Sequence, residues 1–345
     1  MLAACALPAG ASAAPGWTYL WADQPSSTAG YAPDPASQAS SAGVLDVVEH
    51  NGVAPGSYTV GLRGLADPGG TVSLSAYGAD GPVHCLLDGI EPTAARDLKA
   101  GVECTDASGA PIDSRFELAF TRPRAGSTGR FAYAAGGADG SGTPIVVPKR
   151  YTFNSTGKGI TVVRSDPGVY RVDLAGLASD GGTVHVTALL GDAPRCAPVS
   201  WHRQGTAERI FVVCFAHDGT VADGAFMVTF ADRTNLLGVR SLRSAYAWAN
   251  QPSAASYRAD AAHAYNSAGG RASVTRSATG AYAVLFPGQH GPGNVQVNAT
   301  GGPGSSCQVT SVSDTAPGEA IGVACYAETG APVDSAFVVQ YARQA

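Results

Sequence analysis

The sequence predicts an all-β protein built as three tandem antiparallel β-sandwich domains, immunoglobulin-like or jelly-roll-like, each of about 110 residues with one disulfide. Three observations predict it. The first is composition: 345 residues hold 44 Gly and 22 Pro, only 14% are charged, and helix-favouring runs of Glu, Lys and Leu are missing, so turns and short strands dominate. The second is a recurring segment, "GVECTDASGAPIDSRFELAF" (101–120), "FVVCFAHDGTVADGAFMVTF" (211–230) and "GVACYAETGAPVDSAFVVQY" (322–341). The third is a fixed period. Cys104, Cys214 and Cys325 lie 110 and 111 residues apart, and Cys85, Cys196 and Cys307 lie 111 apart each time. Phe116, Phe226 and Phe337 keep that period, as do Tyr58, Tyr170 and Tyr282, each in a Gly-x-Tyr. Such self-similarity marks a tandem repeat, and this period is too long for a solenoid unit or propeller blade.

Taken in order, residues 1–13 read as the remnant of a signal peptide, with Ala11-Ser12-Ala13 as a small-x-small cleavage site before Ala14. A rival reading takes Leu2-Ala3-Ala4-Cys5 as a lipoprotein box and Cys5 as a lipid anchor. The domains then span 14–125, 126–238 and 239–345, separated near "TRPRAGSTG" (121–129) and "DRTNLLGVRS" (232–241). Both junctions are short, which makes the domains close neighbours. Each domain reads as roughly eight strands, punctuated by Gly, Pro, Asn and Asp. The last strand alternates: Phe116, Leu118 and Phe120 share a face, as do Phe226, Val228 and Phe230, and Phe337, Val339 and Tyr341. Arg115 and Glu117 fall on the opposite face of the first copy, so one face is expected in the core and the other in water. The recurring segment is expected to be the last hairpin of each domain: a cysteine strand, an acidic Gly turn and a core strand.

Setting Cys5 aside leaves six cysteines, an even number suited to an oxidising compartment. Midway between each pair lies a turn-like stretch, "PTAAR" (92–96), "QGTAE" (204–208) or "TAPGE" (315–319). If the flanking strands form a hairpin, Cys85 pairs with Cys104, Cys196 with Cys214, and Cys307 with Cys325.

A formal charge of −5 and no block of five like charges exclude a nucleic-acid footprint. No stretch of 18 apolar residues follows the leader, so no membrane span is expected. There is no nucleophile elbow, His-Glu-x-x-His, Walker loop or dinucleotide fingerprint. "GGPGSSC" (301–307) sits between two strands and opens no helix. No catalytic residue and no cofactor is therefore expected.

Three constellations remain. Asp106 with Asp113, Asp218 with Asp223, and Glu328 with Asp334 suggest calcium, but two acids per turn fall short of its six to eight oxygens, and Asp side chains commonly bond the turn backbone instead. His185, His202 and His217 cluster in the second copy alone, and no metal is expected at either group. The third is the pair "YLWADQP" (19–25) and "YAWANQP" (246–252). Trp21 with Asp23 and Gln24, and Trp248 with Asn250 and Gln251, combine a flat ring with amides and a carboxylate, the groups that hold a sugar. The second copy has Ala135 in place of the Trp and would be silent. The competing reading seats both Trp rings against the core or a neighbouring domain.

The pattern Val-x-Cys, Gly-x-x-x-Asp-[Ser/Gly]-x-Phe-x-[Leu/Val] resembles tandem disulfide-containing β-sandwich repeats of secreted, functionally uncharacterised actinobacterial-type proteins. The likeness to immunoglobulin-type adhesion modules is looser, because the inter-sheet disulfide spacing of that fold is missing. The resemblance implies export and implies no activity. The expected function is thus a secreted, non-enzymatic binding or structural module that recognises cell-surface polysaccharide or an extracellular protein. The alternative is a secreted inhibitor or toxin accessory.

Overall fold

A computed structural model describes residues 15–344 apart from 53, 79, 80, 125, 127, 192 and 301–303. The leader reading, including Cys5 and Ala11 to Ala13, lies outside the described residues. Over the described residues the chain is all-β, with 25 strands in five sheets and three disulfides.

Residues 16–122 supply β1 (Gly16–Ala22), β2 (Gln38–Ser40), β3 (Val47–His50), β4 (Ser57–Leu62), β5 (Thr71–Tyr77), β6 (Val83–Pro92), β7 (Leu98–Asp106) and β8 (Arg115–Arg122). They pair in the orders β2-β1-β8-β5 and β3-β4-β7-β6. Residues 130–232 supply β9 (Arg130–Gly137), β10 (Thr152–Asn154), β11 (Ile160–Asp166), β12 (Val169–Ala175), β13 (Thr183–Ala188), β14 (Arg195–Gln204), β15 (Ala207–Phe215) and β16 (Ala225–Asp232). Their orders, β10-β9-β16-β13 and β11-β12-β15-β14, reproduce the first pattern. Residues 243–343 supply β17 (Arg243–Ala249), β18 (Ser256–Arg258), β19 (Ala264–Asn266), β20 (Ser273–Ala278), β21 (Ala281–Pro287), β22 (Asn294–Ala299), β23 (Ser306–Thr315), β24 (Gly318–Tyr326) and β25 (Phe337–Arg343). They run β19-β17-β25-β22 and β18-β20-β21-β24-β23, the latter joined to β5 in one nine-stranded sheet.

Each pair of strand sets shares a core. Phe116, Leu118 and Phe120 of β8 pack with Val60 and Val102 of the facing strands, Phe226 and Val228 with Val172 and Ile210, and Phe337 and Val339 with Val284 and Ile321. All three Phe residues that keep the period are fully buried, and each buried aromatic side chain contributes roughly 1.5–3 kcal/mol. The cysteine strands form the expected hairpins. Cys85 lies opposite Cys104, Cys196 opposite Cys214 and Cys307 opposite Cys325, with Cα atoms 4.0 to 4.1 Å apart, and each pair is disulfide-bonded.

Two expectations are corrected. The recurring segment is not a hairpin, because β7 and β8 belong to different sheets, as do β15 and β16, and β24 and β25. The reason is that β7 already has β4 and β6 on its two edges, so the chain leaves it and pairs β8 between β1 and β5. Nor is the second face of β8 wet. Glu117 is 2% exposed, and Ala119 and Thr121 are buried beside it. The covering comes from elsewhere in the chain: Asn294 Nδ2 donates to Glu117 Oε2 at 2.8 Å, and Thr121 Oγ1 donates to the Leu237 carbonyl at 2.6 Å.

Asp106 and Asp218 serve the backbone of their turns, whereas Glu328 lies 3.8 Å from Arg195 Nη2. Asp106 Oδ1 accepts from Ser108 N, Ser108 Oγ and Ala110 N, and Asp218 Oδ1 from Thr220 N and Oγ1. The later acids tie the crossover to the Gly-x-Tyr. Asp223 accepts from Gly168 N, Tyr170 OH and both Nε and Nη2 of Arg164, and Asp334 accepts from Gly280 N, Tyr282 OH and Arg276 Nε. Asp113 accepts from Gly56 N and meets His50 Nε2 at 2.9 Å. Hydrogen bonds from Arg164 hold the Asp223 carboxyl far below the usual carboxylate range.

The three segments close around a common axis. There β5, β13 and β22, each the edge of its own four-stranded set, lie against one another. Three equivalent hydrogen bonds link them in a cycle: Leu74 N donates to Thr187 Oγ1 (3.2 Å), Val186 N to Asn298 Oδ1 (2.6 Å) and Val297 N to Ser75 Oγ (2.9 Å). Side chains thus satisfy backbone donors that an open sheet edge would leave unpaired. The seams continue outward through parallel bridges, Val309 with Tyr77 and Leu87 with Leu189.

Candidate functional site

The two Trp side chains are far apart in role. Both come from first strands, β1 and β17, whose alternation turns them away from their own core and toward a neighbouring segment. Trp248 is half-buried against Trp201 (ring centroids 5.2 Å) and His263 (5.0 Å), and its Nε1 donates to Thr300 Oγ1 at 2.9 Å. Trp21 is half-buried against Tyr77 (5.0 Å), and its buried Nε1 has no hydrogen-bond partner. Gln24 and Gln251 are exposed, whereas Asp23 and Asn250 each bury an unpartnered Oδ1. The Gln24 and Gln251 backbones each donate their N–H to a tyrosine hydroxyl, that of Tyr31 and Tyr257 respectively.

The equivalent seams differ, and the difference locates a site. Ala135 and Met227 of the second segment join the cluster of Leu87 and Ile90 in the first, and Val338 and Trp248 of the third join the cluster around Trp201 in the second. Both of those seams are packed shut by apolar side chains. At the remaining seam the counterparts are Trp21 and Glu117, which with Tyr77 face Val312, Asp314 and Glu319 across a cleft of about 160 Å³. A carboxylate thus stands where Met227 and Val338 stand elsewhere.

The electrostatics of the cleft follow from that burial. Desolvation pushes the Glu117 carboxyl well up, against the opposing hydrogen bonds of Val295 N and Asn294. Burial likewise pushes Glu319, 1% exposed with Oε2 unpartnered, up to about 7, and the Asp314 charge adds to it. Asp314 itself is half exposed and bonded to His290 Nδ1 at 2.7 Å. An aromatic pair with carboxyl groups beside it can stack on an apolar ring face and exchange hydrogen bonds with hydroxyls.

Sequence reasoning singled out Trp21 but missed Tyr77, Glu117, Asp314 and Glu319. One signal was available: aligned on Phe116, Phe226 and Phe337, the next residue is Glu, Met and Val. Among the described residues no group of three or more His, Cys, Asp and Glu side chains is placed to hold a metal ion, and no helix is long and apolar enough to cross a membrane. No protein-family model matches the chain, nor does any curated protein or any solved structure.

Proposed function

We propose that the chain is an exported, non-enzymatic binding module of three β-sandwich domains, 14–125, 126–238 and 239–345, and that the cleft beside Trp21 takes a sugar ring of a cell-surface polysaccharide. The observation that carries this reading is the pairing of Trp21 and Tyr77 with a buried Glu117 where the other two copies have Met227 and Val338. Burying a carboxyl costs several kcal/mol unless something is gained by it. Three disulfides fit an extracellular setting and support export. The second reading, a secreted protein that binds another protein, is favoured by the 144–148 segment, where Val146 is 92% exposed and Ile145 41%.

A glycan array and whole bacterial cell walls, probed with the wild type, Trp21→Ala and Trp248→Ala, separate these readings. Sugar binding should vanish in Trp21→Ala and persist in Trp248→Ala, whose ring is already engaged by Trp201 and His263. Absence of wild-type binding would refute the sugar reading and leave the 144–148 segment as the contact.

A further inference from the structure

We propose that the common axis holds a small inorganic anion, gripped by Arg195 with Ser306 and His84. The site is separate from the Trp21 cleft and does not depend on the sugar reading. A cavity of about 70 Å³ lies on the axis, lined by equivalent residues of all three segments: Ser75, Thr187 and Asn298 from the central strands, and His84, Arg195 and Ser306 from the cysteine strands. By this measure roughly 10–15 Å³ admits one water, so the space has room for water or one small anion.

His84, Arg195 and Ser306 each precede a disulfide cysteine, so the hairpins fix all three at one level of the axis. All three carry hydrogen-bond donors. Arg195 Nε and Nη2 and Ser306 Oγ are buried without hydrogen-bond partners. The other wall groups are already engaged: Thr187 Oγ1 and Asn298 Oδ1 accept from Leu74 N and Val186 N, and Asn298 Nδ2 donates to the Val186 carbonyl. What the cavity lacks is therefore an acceptor, and an anion supplies acceptors only. It also answers the Arg195 charge, whose Nη2 lies 3.8 Å from Glu328 Oε1, beyond hydrogen-bond reach, while the guanidinium sits over the Phe215 ring.

The surrounding ionisable groups set the balance. Glu328 is about one-third exposed, so water screens it, and its carboxylate lies against Gly219 and Gly304. His217 packs on Gly109, and Asp106 is bound up in its own turn. Burial and the Arg195 charge push the His84 imidazole down to about 3, so His84 offers one neutral N–H. An axial anion lowers the cost of protonating it.

The test uses the full chain. Thermal unfolding is followed against sodium sulfate and sodium chloride, at constant ionic strength set with sodium gluconate, in the wild type, Arg195→Gln and Ser306→Ala. Crystals soaked in bromide are examined for an anomalous peak. The expected result is a saturable rise in Tm with one of the two anions, lost in Arg195→Gln and weakened in Ser306→Ala, with bromide on the axis within hydrogen-bond reach of Arg195. Should Arg195→Gln fail to fold, the Ser306→Ala comparison and the bromide peak decide. An equal rise in all variants, or no bromide between the three disulfides, overturns the proposal.

Discussion

Glu208 is a carboxyl with no solvent exposure whose protonation should govern the pH dependence of stability. Its Oε2 accepts from Ser179 N at 2.8 Å, and its Oε1 is buried with no partner. Burial first, and the Asp232 charge second among the raising causes, push its pKa up to about 8, against the opposing Ser179 N–H and the Arg130 and Arg203 charges. An unfolded Glu titrates near ~4.3. Below that value both states hold the proton; above about 8 both have lost it, and the folded state carries the cost of a buried charge. Between the two the unfolded state binds fewer protons, so stability falls as pH rises. A shift of roughly 3.5 units corresponds to about 5 kcal/mol at most. Glu208→Gln keeps an acceptor for Ser179 N and removes the charge. Urea unfolding followed by Trp fluorescence at pH 5, 7 and 9 should find the variant within about 1 kcal/mol of wild type at pH 5 and several kcal/mol more stable at pH 9. Curves for the two proteins that run parallel across the range would refute the reasoning. Glu319 holds the equivalent position in the third segment and accepts from Gly291 N, whereas the first segment has Leu98 there.

Two further outcomes are expected. His185, 1% exposed on β13 with both ring nitrogens unpartnered, is pushed down to about 3 by burial, so its contribution is intact above about 6.5 and is lost as pH falls from there toward 3; His185→Gln, matching Gln296, should blunt acid unfolding measured by circular dichroism. Replacing Cys196 and Cys214 by Ser opens a loop of sequence separation 18 and should lower stability by about 3 kcal/mol on the chain-entropy argument, read as a shift of the urea midpoint, with no loss of the other two disulfides by non-reducing peptide mapping.

What the sequence by itself determined was local or repeated. Strand-forming alternation, Gly and Pro punctuation and the cysteine hairpins depend on residues fewer than about 20 positions apart, so the disulfide pairing and the all-β class were legible in one dimension. The period also fixed which residues correspond, including the Asp, Gly-x-Tyr and Phe anchors. The tertiary structure alone decided which sheet β8 joins, because that depends on both edges of β7 being occupied by strands distant in sequence. It alone decided that Glu117 is buried, that Trp248 meets Trp201 while Trp21 borders a cleft, and that His84, Arg195 and Ser306 converge. Alternation within one strand reports that two faces differ, but not what covers the second face. Here that cover comes from another segment about 110 residues away or more, and packing between such distant segments leaves no periodic trace in either.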